Sequence, residues 1–332
     1  MYYLCTDKYK RTMIPQFKNL TDLLDYFKDE QTCIDYFAQK RWGGTPRCPY
    51  CNHDKVYKIN QGKRFKCASP ECYKIFSVKV GSIFEDSNIP LRKWFVAIYL
   101  LTSHKKGISS VQLAKDIGIC QKSAWHLEHR IREMLKVREP IMLNNSVEVD
   151  ETYIGGKEGN RHLNKKHRST PPLRSEKDKG VGGRSVRDKA VVLGLVERAG
   201  KVIAVHVPDA KAKTIIPQIE KHIAKGSTML TDEWYAYGRL TGYTHKTVQH
   251  GLKIYVQGEV HTNTIENFWS VLKRGLYGIY HFTSRKHLDR YLDEFCARYN
   301  TRELGEVERF DNFLAKSTGT TLTWNRLVQA QA

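Results

Sequence analysis

Long apolar runs are missing from this sequence. The two most apolar stretches, Trp94–Leu101 and Ala190–Val196, fall well short of the roughly 20 residues that span a bilayer, so no membrane partner is expected. The opening residues Met1–Arg11 are polar and aromatic without an apolar stretch. They predict no secretory signal and hence a cytosolic protein, at the nucleoid if its partner is DNA. In that compartment the eight cysteines are expected as thiols or metal ligands rather than disulfides. No low-complexity tract is large enough to suggest more than local disorder, and no internal repeat is found.

Acidic residues are also in deficit: 35 Asp and Glu face 55 Lys and Arg, a formal charge of +20. Such an excess points to a polyanionic partner, the alternative being a surface charged only for solubility. What is present is a globular composition, 40% apolar and 11% aromatic. A chain of 332 residues is long enough for two or three domains, each with its own core.

Seven of the eight cysteines lie before residue 121, and four of those form a pattern. Cys48 and Cys51 make one knuckle, Cys67 and Cys72 a second, with 15 residues between Cys51 and Cys67. Two close pairs bracketing a ribbon-length segment can deliver four soft ligands to a tetrahedral Zn(II). Full thiolate coordination leaves no open position, so this zinc would be structural. Cys5, Cys33, Cys120 and Cys296 are isolated and expected in cores, and His53 at the surface.

Periodicity organises the rest. Residues 17–40 predict one or two packing helices, and residues 91–136 predict three, broken at Lys105–Gly107 and Asp116–Ile119. The last two resemble a helix-turn-helix. Its second helix would bury Ala124, Leu127, Ile131 and Leu135 and turn Lys122, Trp125, His129 and Arg132 to DNA, with Gln121 near its start. A plain three-helix packing unit fits the same spacing.

After a linker at Pro140–Asn145, residues 146–152 alternate as a strand. The segment 155–189 holds 11 Lys or Arg without period and reads as a basic loop. Strands are expected at 190–196 and 202–207, joined by a hairpin at Ala199–Gly200, then at 228–231 and 244–248. Helices are expected at 212–224, 264–276 and 284–299.

Strand alternation sets Glu148 and Asp150 on one sheet face, opposite Val147 and Val149. Asp232 lies at the exit of a short strand, and Glu266 on a helix beside an apolar stripe. Carboxylates converging from two strand ends and a helix could hold two Mg(II) or Mn(II) ions for displacement at phosphorus. Spacing alone does not show convergence, and for a lone Asp it favours a helix cap or a salt bridge.

Three strings change that balance: Val149–Gly156, Thr231–Tyr237 and His261–Arg274. With Arg41-Trp42, the cysteine quartet, the Trp94 region and Tyr299–Arg302, they resemble bacterial insertion-sequence transposases with an N-terminal zinc ribbon, a group related to the Merlin transposons. The resemblance covers nearly the whole chain. It implies a ribonuclease H-like α/β core, a mixed sheet flanked by helices. In that core the first acidic residue lies on the first strand, the second after the fourth strand and the third on a later helix.

On that basis Asp150, Asp232 and Glu266 are the expected catalytic metal ligands, with Asn263 or Asn267 as alternatives for a share of the third position. Lys273 is the expected phosphate contact, with Arg274 beside it. Trp269 is a core residue or a base-stacking one. The partners implied are double-stranded DNA, as terminal inverted repeats and target, and further copies of the chain. Rival readings are a ribonuclease H-like nuclease that does not join ends, and a DNA-binding regulator with an inactive core.

The expected division is an N-terminal helical segment 1–40, a zinc ribbon 41–84, a helix-turn-helix-like region 85–140 and a catalytic domain 141–310. The basic insertion 155–189 interrupts the catalytic domain, and a tail 311–332 follows it.

Overall fold

The computed structural model describes residues 16–138, 140–155, 189–232, 240–248 and 262–329. The basic insertion expected at 155–189 lies outside the described residues except for its two end residues, as does Cys5. The chain divides into two compact units, residues 1–99 with 304–318, and residues 100–303 with 319–332.

In the first unit, α1 (Leu20–Tyr26) and α2 (Glu30–Trp42) start at Asn19 and Asp29, whose side chains accept from the backbone N–H three residues on. α2 stops at Gly43, a left-handed residue with φ 61°. A three-stranded antiparallel ribbon follows: β1 (Val56–Ile59), β2 (Arg64–Cys67) and β3 (Ile75–Phe76). The next helix, α3 (Leu91–Ser103), receives its cap from a distance: Glu30 accepts from the N–H groups of Leu91 and Arg92 at 2.8 and 3.1 Å.

Phe17, Phe27, Phe95 and Phe310 pack as a ring cluster with centroids 4.9–6.2 Å apart. Phe310 comes from a helix at Glu306–Ala315, which buries Phe313 and Leu314 as well. The segment expected as a tail from 311 is therefore structured, and residues 304–318 belong to the N-terminal unit. The Tyr36 hydroxyl and the Lys40 ammonium both bond Asp311, the latter at 2.5 Å.

The second unit holds α4 (Ser110–Ile117) and α5 (Gln121–Leu135), separated by a three-residue turn with Gly118 left-handed. Its sheet comprises β4 (Ser146–Ile154), β5 (Ala190–Glu197), β6 (Val202–Val207), β7 (Thr228–Asp232) and β8 (Thr244–Val248). Their spatial order is β6-β5-β4-β7-β8, antiparallel between β4, β5 and β6 and parallel between β4, β7 and β8. Numbered within the sheet this is 3-2-1-4-5, the mixed arrangement of a ribonuclease H-like domain.

Helices cover both faces. α6 (Ala212–His222) lays Ile215 and Ile219 on Val147, Val149, Val191, Leu193 and Met229. α7 (Asn263–Gly278) and α8 (Arg285–Asn300) cover the other face, packing Ile265, Trp269, Leu288 and Leu292 on Ile154, Val192 and Val196. Burial on both sides explains why β5 reads as one apolar run rather than an alternation. The β5–β6 hairpin turns at Ala199, left-handed at φ 55°, where it was expected. α8 is followed by α9, the Glu306–Ala315 helix above, and α10 (Trp324–Val328).

Candidate functional site

The four thiols of Cys48, Cys51, Cys67 and Cys72 lie within 4.8 Å of one another. Two backbone turns bring them there. The first knuckle closes through Asn52 N–H to Cys48 O at 2.9 Å, and the second through Cys72 N–H to Ser69 O at 3.1 Å. Sulfurs bound at about 2.3 Å to a tetrahedral ion stand about 3.8 Å apart. The observed pairs, Cys48–Cys72 at 3.8 Å and Cys51–Cys67 at 3.5 Å, match that spacing. The donor set therefore fits a structural zinc, and His53 is not part of it. Of the isolated cysteines, Cys33 and Cys296 are buried, whereas Cys120 is exposed at the start of α5 and not a core residue.

In the sheet, Asp150 lies on β4, the central strand, with Glu148 on the same face. β4 and β7 pair in parallel up to Val149↔Thr231, so Asp150 and Asp232 are the next residues on two adjacent strands. For Asp232 the backbone alone is described. Glu266 is exposed in the first turn of α7 and accepts from the Thr262 hydroxyl at 3.2 Å. Asn263, Asn267 and Arg274 are exposed on that same side of α7, with Ser270 and Lys273 half-buried. Arg274 donates to Ser270 Oγ at 2.6 Å.

Two contacts tie α7 to β4. Glu148 is fully buried and accepts from Ile265 N–H at 2.9 Å, from Thr264 Oγ1 at 3.0 Å and from Arg198 Nε at 3.0 Å. One turn on, the Trp269 indole N–H donates to Asp150 Oδ2 at 2.9 Å. Trp269 is 4% exposed, a core residue rather than an open stacking platform. Sequence reasoning left Glu148 without a role and passed over Gly194. The signal for Gly194 was a glycine inside the otherwise apolar strand 190–196, a mark of close approach.

The set expected to face DNA from α5 needs correction. Gln121 and Lys122 are exposed, with Lys122 Nζ 4.9 Å from the Trp324 ring centre. His129 and Arg132, however, are fully buried, and Trp125 is half-buried against His129, His287 and Trp324. Arg132 binds Glu294 at 2.5 Å and Glu128 at 3.2 Å and stacks on Tyr291. The polar side of α5 is packed on α8 and cannot face DNA in this arrangement.

Burial dominates the titration of that interface. It holds His129 far below its ordinary range, aided by Arg132, and pushes His287 down to about 4. It pushes the Glu128 carboxyl up to about 8 against the pull of Arg132, and Asp293 up to about 7. Glu294 goes the other way, because the nearby Arg298 and Arg132 outweigh its burial.

Residues 142–300 match the ISXO2-like transposase domain family, and residues 28–74 match the transposase zinc-ribbon domain family. An uncharacterized protein in transposable element ISH50 of Halobacterium salinarum is 30% identical over 279 residues, 82% of this chain and 91% of that protein. An uncharacterized transposase-like protein of Haemophilus influenzae is 28% identical over 106 residues, 31% of this chain and 85% of that protein. The cryoEM structure of a simian T-cell lymphotropic virus intasome with PP2A regulatory subunit B56 gamma aligns at 13% identity, over 59% of this chain and 66% of that one. Its TM-score of 0.27 is too slight a likeness to inform the fold. Its 30% identity across nine-tenths of the ISH50 protein, together with its own matches to the transposase and zinc-ribbon domain families, shows that the chain belongs to the ISXO2-like transposase family.

Proposed function

We propose that this chain is a DNA transposase that binds the terminal inverted repeats of its element, cuts the element ends and joins them to target DNA, using Asp150, Asp232 and Glu266 to hold Mg(II) or Mn(II). The observation that carries the reading is the convergence of backbone positions. Asp150 and Asp232 directly follow the last pair, Val149 and Thr231, of two adjacent parallel strands, and the helix bearing Glu266 is bonded to β4 through Glu148 and Asp150. An all-oxygen donor set with half-buried and exposed members suits a hard cation that keeps positions for water and phosphate.

When bound, such a pair of ions activates the attacking oxygen and stabilises the leaving one. The chemistry is two displacements at phosphorus. Water forms a bond to phosphorus as the bond to the 3′ oxygen at the element end breaks, and one water proton passes to that oxygen, leaving a 3′-hydroxyl on the element and a 5′-phosphate on the flanking DNA. That hydroxyl then attacks a target phosphodiester, forming one P–O bond as another breaks. Lys273 and Arg274, further along α7, contact the phosphates of the cut end.

Recognition rests on the ribbon and on the start of α5. The outer face of the ribbon aligns Tyr57, Lys66 and Ile75 across three strands, all exposed. Lys66 Nζ stands 5.8 Å from the Tyr73 ring centre, an arrangement of cations among aromatics suited to DNA. Gln121 and Lys122 remain available on α5. Synapsis of two element ends calls for at least two copies of the chain.

The test is cleavage and joining of a labelled terminal-repeat duplex with Mg(II) or Mn(II), for the wild type and for Asp150→Ala, Asp232→Ala and Glu266→Ala. Each variant should lose at least about 1,000-fold in rate and still bind the duplex. Nicks without joined product would favour a nuclease. Binding without chemistry in the wild type would favour a regulator.

A further inference from the structure

We infer that Trp269 is a positioning residue for two of the three carboxylates, and that Gly194 is glycine in order to seat it. This rests on the reading of Asp150 and Glu266 as metal ligands.

An indole N–H can only donate a hydrogen bond, and it does not titrate. At 2.9 Å from Asp150 Oδ2 it fixes the plane of the carboxylate without competing for a cation. Such outer contacts orient metal ligands and set their basicity. The donor is itself held rigidly. Trp269 is 4% exposed and packs against Phe268 at 5.3 Å between ring centres.

Gly194 is the residue directly across from Asp150 in the β4–β5 register. A Cβ there would stand 2.4 and 2.6 Å from Cζ2 and Cη2 of the indole and 2.9 Å from Ile265 Cδ1. Its neighbours on β5 are all larger and buried, so the strand tolerates side chains on either side of this position. The missing side chain is therefore a slot for the indole.

Glu266 is three residues before Trp269 on α7, nearly one helical turn away. Seating the ring fixes the rotation of α7 about its axis, and with it the direction of Glu266. One contact thus sets both carboxylates.

If the ring only filled core volume, phenylalanine would serve. The experiment uses full-length wild type, Trp269→Phe, Gly194→Ala and Asp150→Asn. Mn(II) affinity is read by electron paramagnetic resonance, and the Mn(II) concentration for half-maximal cleavage is compared with the rate at saturating metal. In ¹⁵N-tryptophan protein, one indole N–H signal should vanish in Trp269→Phe, and that same signal should move in Asp150→Asn and on adding Mg(II).

Trp269→Phe should weaken Mn(II) binding about 10- to 100-fold, with cleavage partly recovered at high metal, and Gly194→Ala should reproduce the defect. Wild-type metal affinity and rate in Trp269→Phe, beside a dead Asp150→Asn, would overturn this inference and leave the proposed function standing. Failure of wild type to bind Mn(II) or to cleave would overturn both.

Discussion

Glu148 has no exposed surface, yet three donors meet it, and each does a different job. The Ile265 N–H is an orphan of the first turn of α7, the Thr264 hydroxyl flanks it, and Arg198 balances the charge. The carboxylate also sits at the positive end of that helix. Removing it strands a guanidinium and a buried N–H together. Glu148→Ala should therefore lower stability by about 3 kcal/mol, and Glu148→Gln by about 1–2 kcal/mol because it keeps an acceptor. Urea unfolding of the two variants checks this, and an unchanged midpoint in Glu148→Ala would show that the contact is not stabilising. At this scale the sequence displayed Asp150, Asp232 and Glu266 through their strings. It did not display Glu148 or Gly194, because their importance depends on which helix crosses which strand.

The interface of α5 and α8 shows why an amphipathic pattern misleads. The side of α5 bearing Trp125, His129 and Arg132 carries hydrogen-bonding groups, and such a side reads as solvent or DNA. Here it meets Glu294, Tyr291 and His287, so polar groups are matched by polar groups inside. The match is incomplete: neither ring nitrogen of His129 has a hydrogen-bond partner.

His129, His126 and His287 all titrate below their ordinary range, chiefly through burial, with Arg132, Arg130, Lys286 and Arg290 adding to it. A base whose folded pKa is depressed contributes stability above its unfolded value near 6.5, and loses it as pH falls through the folded value. Glu128 and Asp293 have the opposite sign. Their raised carboxyl pKa values favour the fold at low pH, and that contribution fades as pH rises toward about 8 and about 7. The informative quantity is therefore the difference between wild type and His129→Leu. The wild type should lose more stability than the variant between pH 6.5 and 4.5, measured as thermal midpoints at several pH values. Parallel curves would mean that His129 takes up its proton in the folded chain over the same pH range as in the unfolded one.

Across the whole molecule, element order and the mixed sheet were legible, because periodicity and turn residues are local. The membership of residues 304–318 in the N-terminal unit was not, because it depends on contacts such as Tyr36 with Asp311 and Phe27 with Phe310, more than 270 positions apart. The division into two units has a thermodynamic consequence. The ribbon has little apolar core of its own: Trp42, Phe65 and Phe76 pack with centroids 5.4–6.3 Å apart, and the four thiols supply the rest of its closure. Small ribbons of this kind fold with their metal. The second unit has apolar layers on both faces of its sheet, and no zinc-type cluster occurs there among the described residues. Stripping zinc, or Cys48→Ser, should release one equivalent of Zn(II) and expose Trp42, read as a red shift in fluorescence. The circular dichroism of the α/β unit should persist. Selection of the terminal repeat over random duplex should fall at least about tenfold, while Mg(II)-dependent nicking at high protein concentration continues. Simultaneous loss of both units in a single cooperative transition would show instead that the sheet depends on the ribbon for its stability.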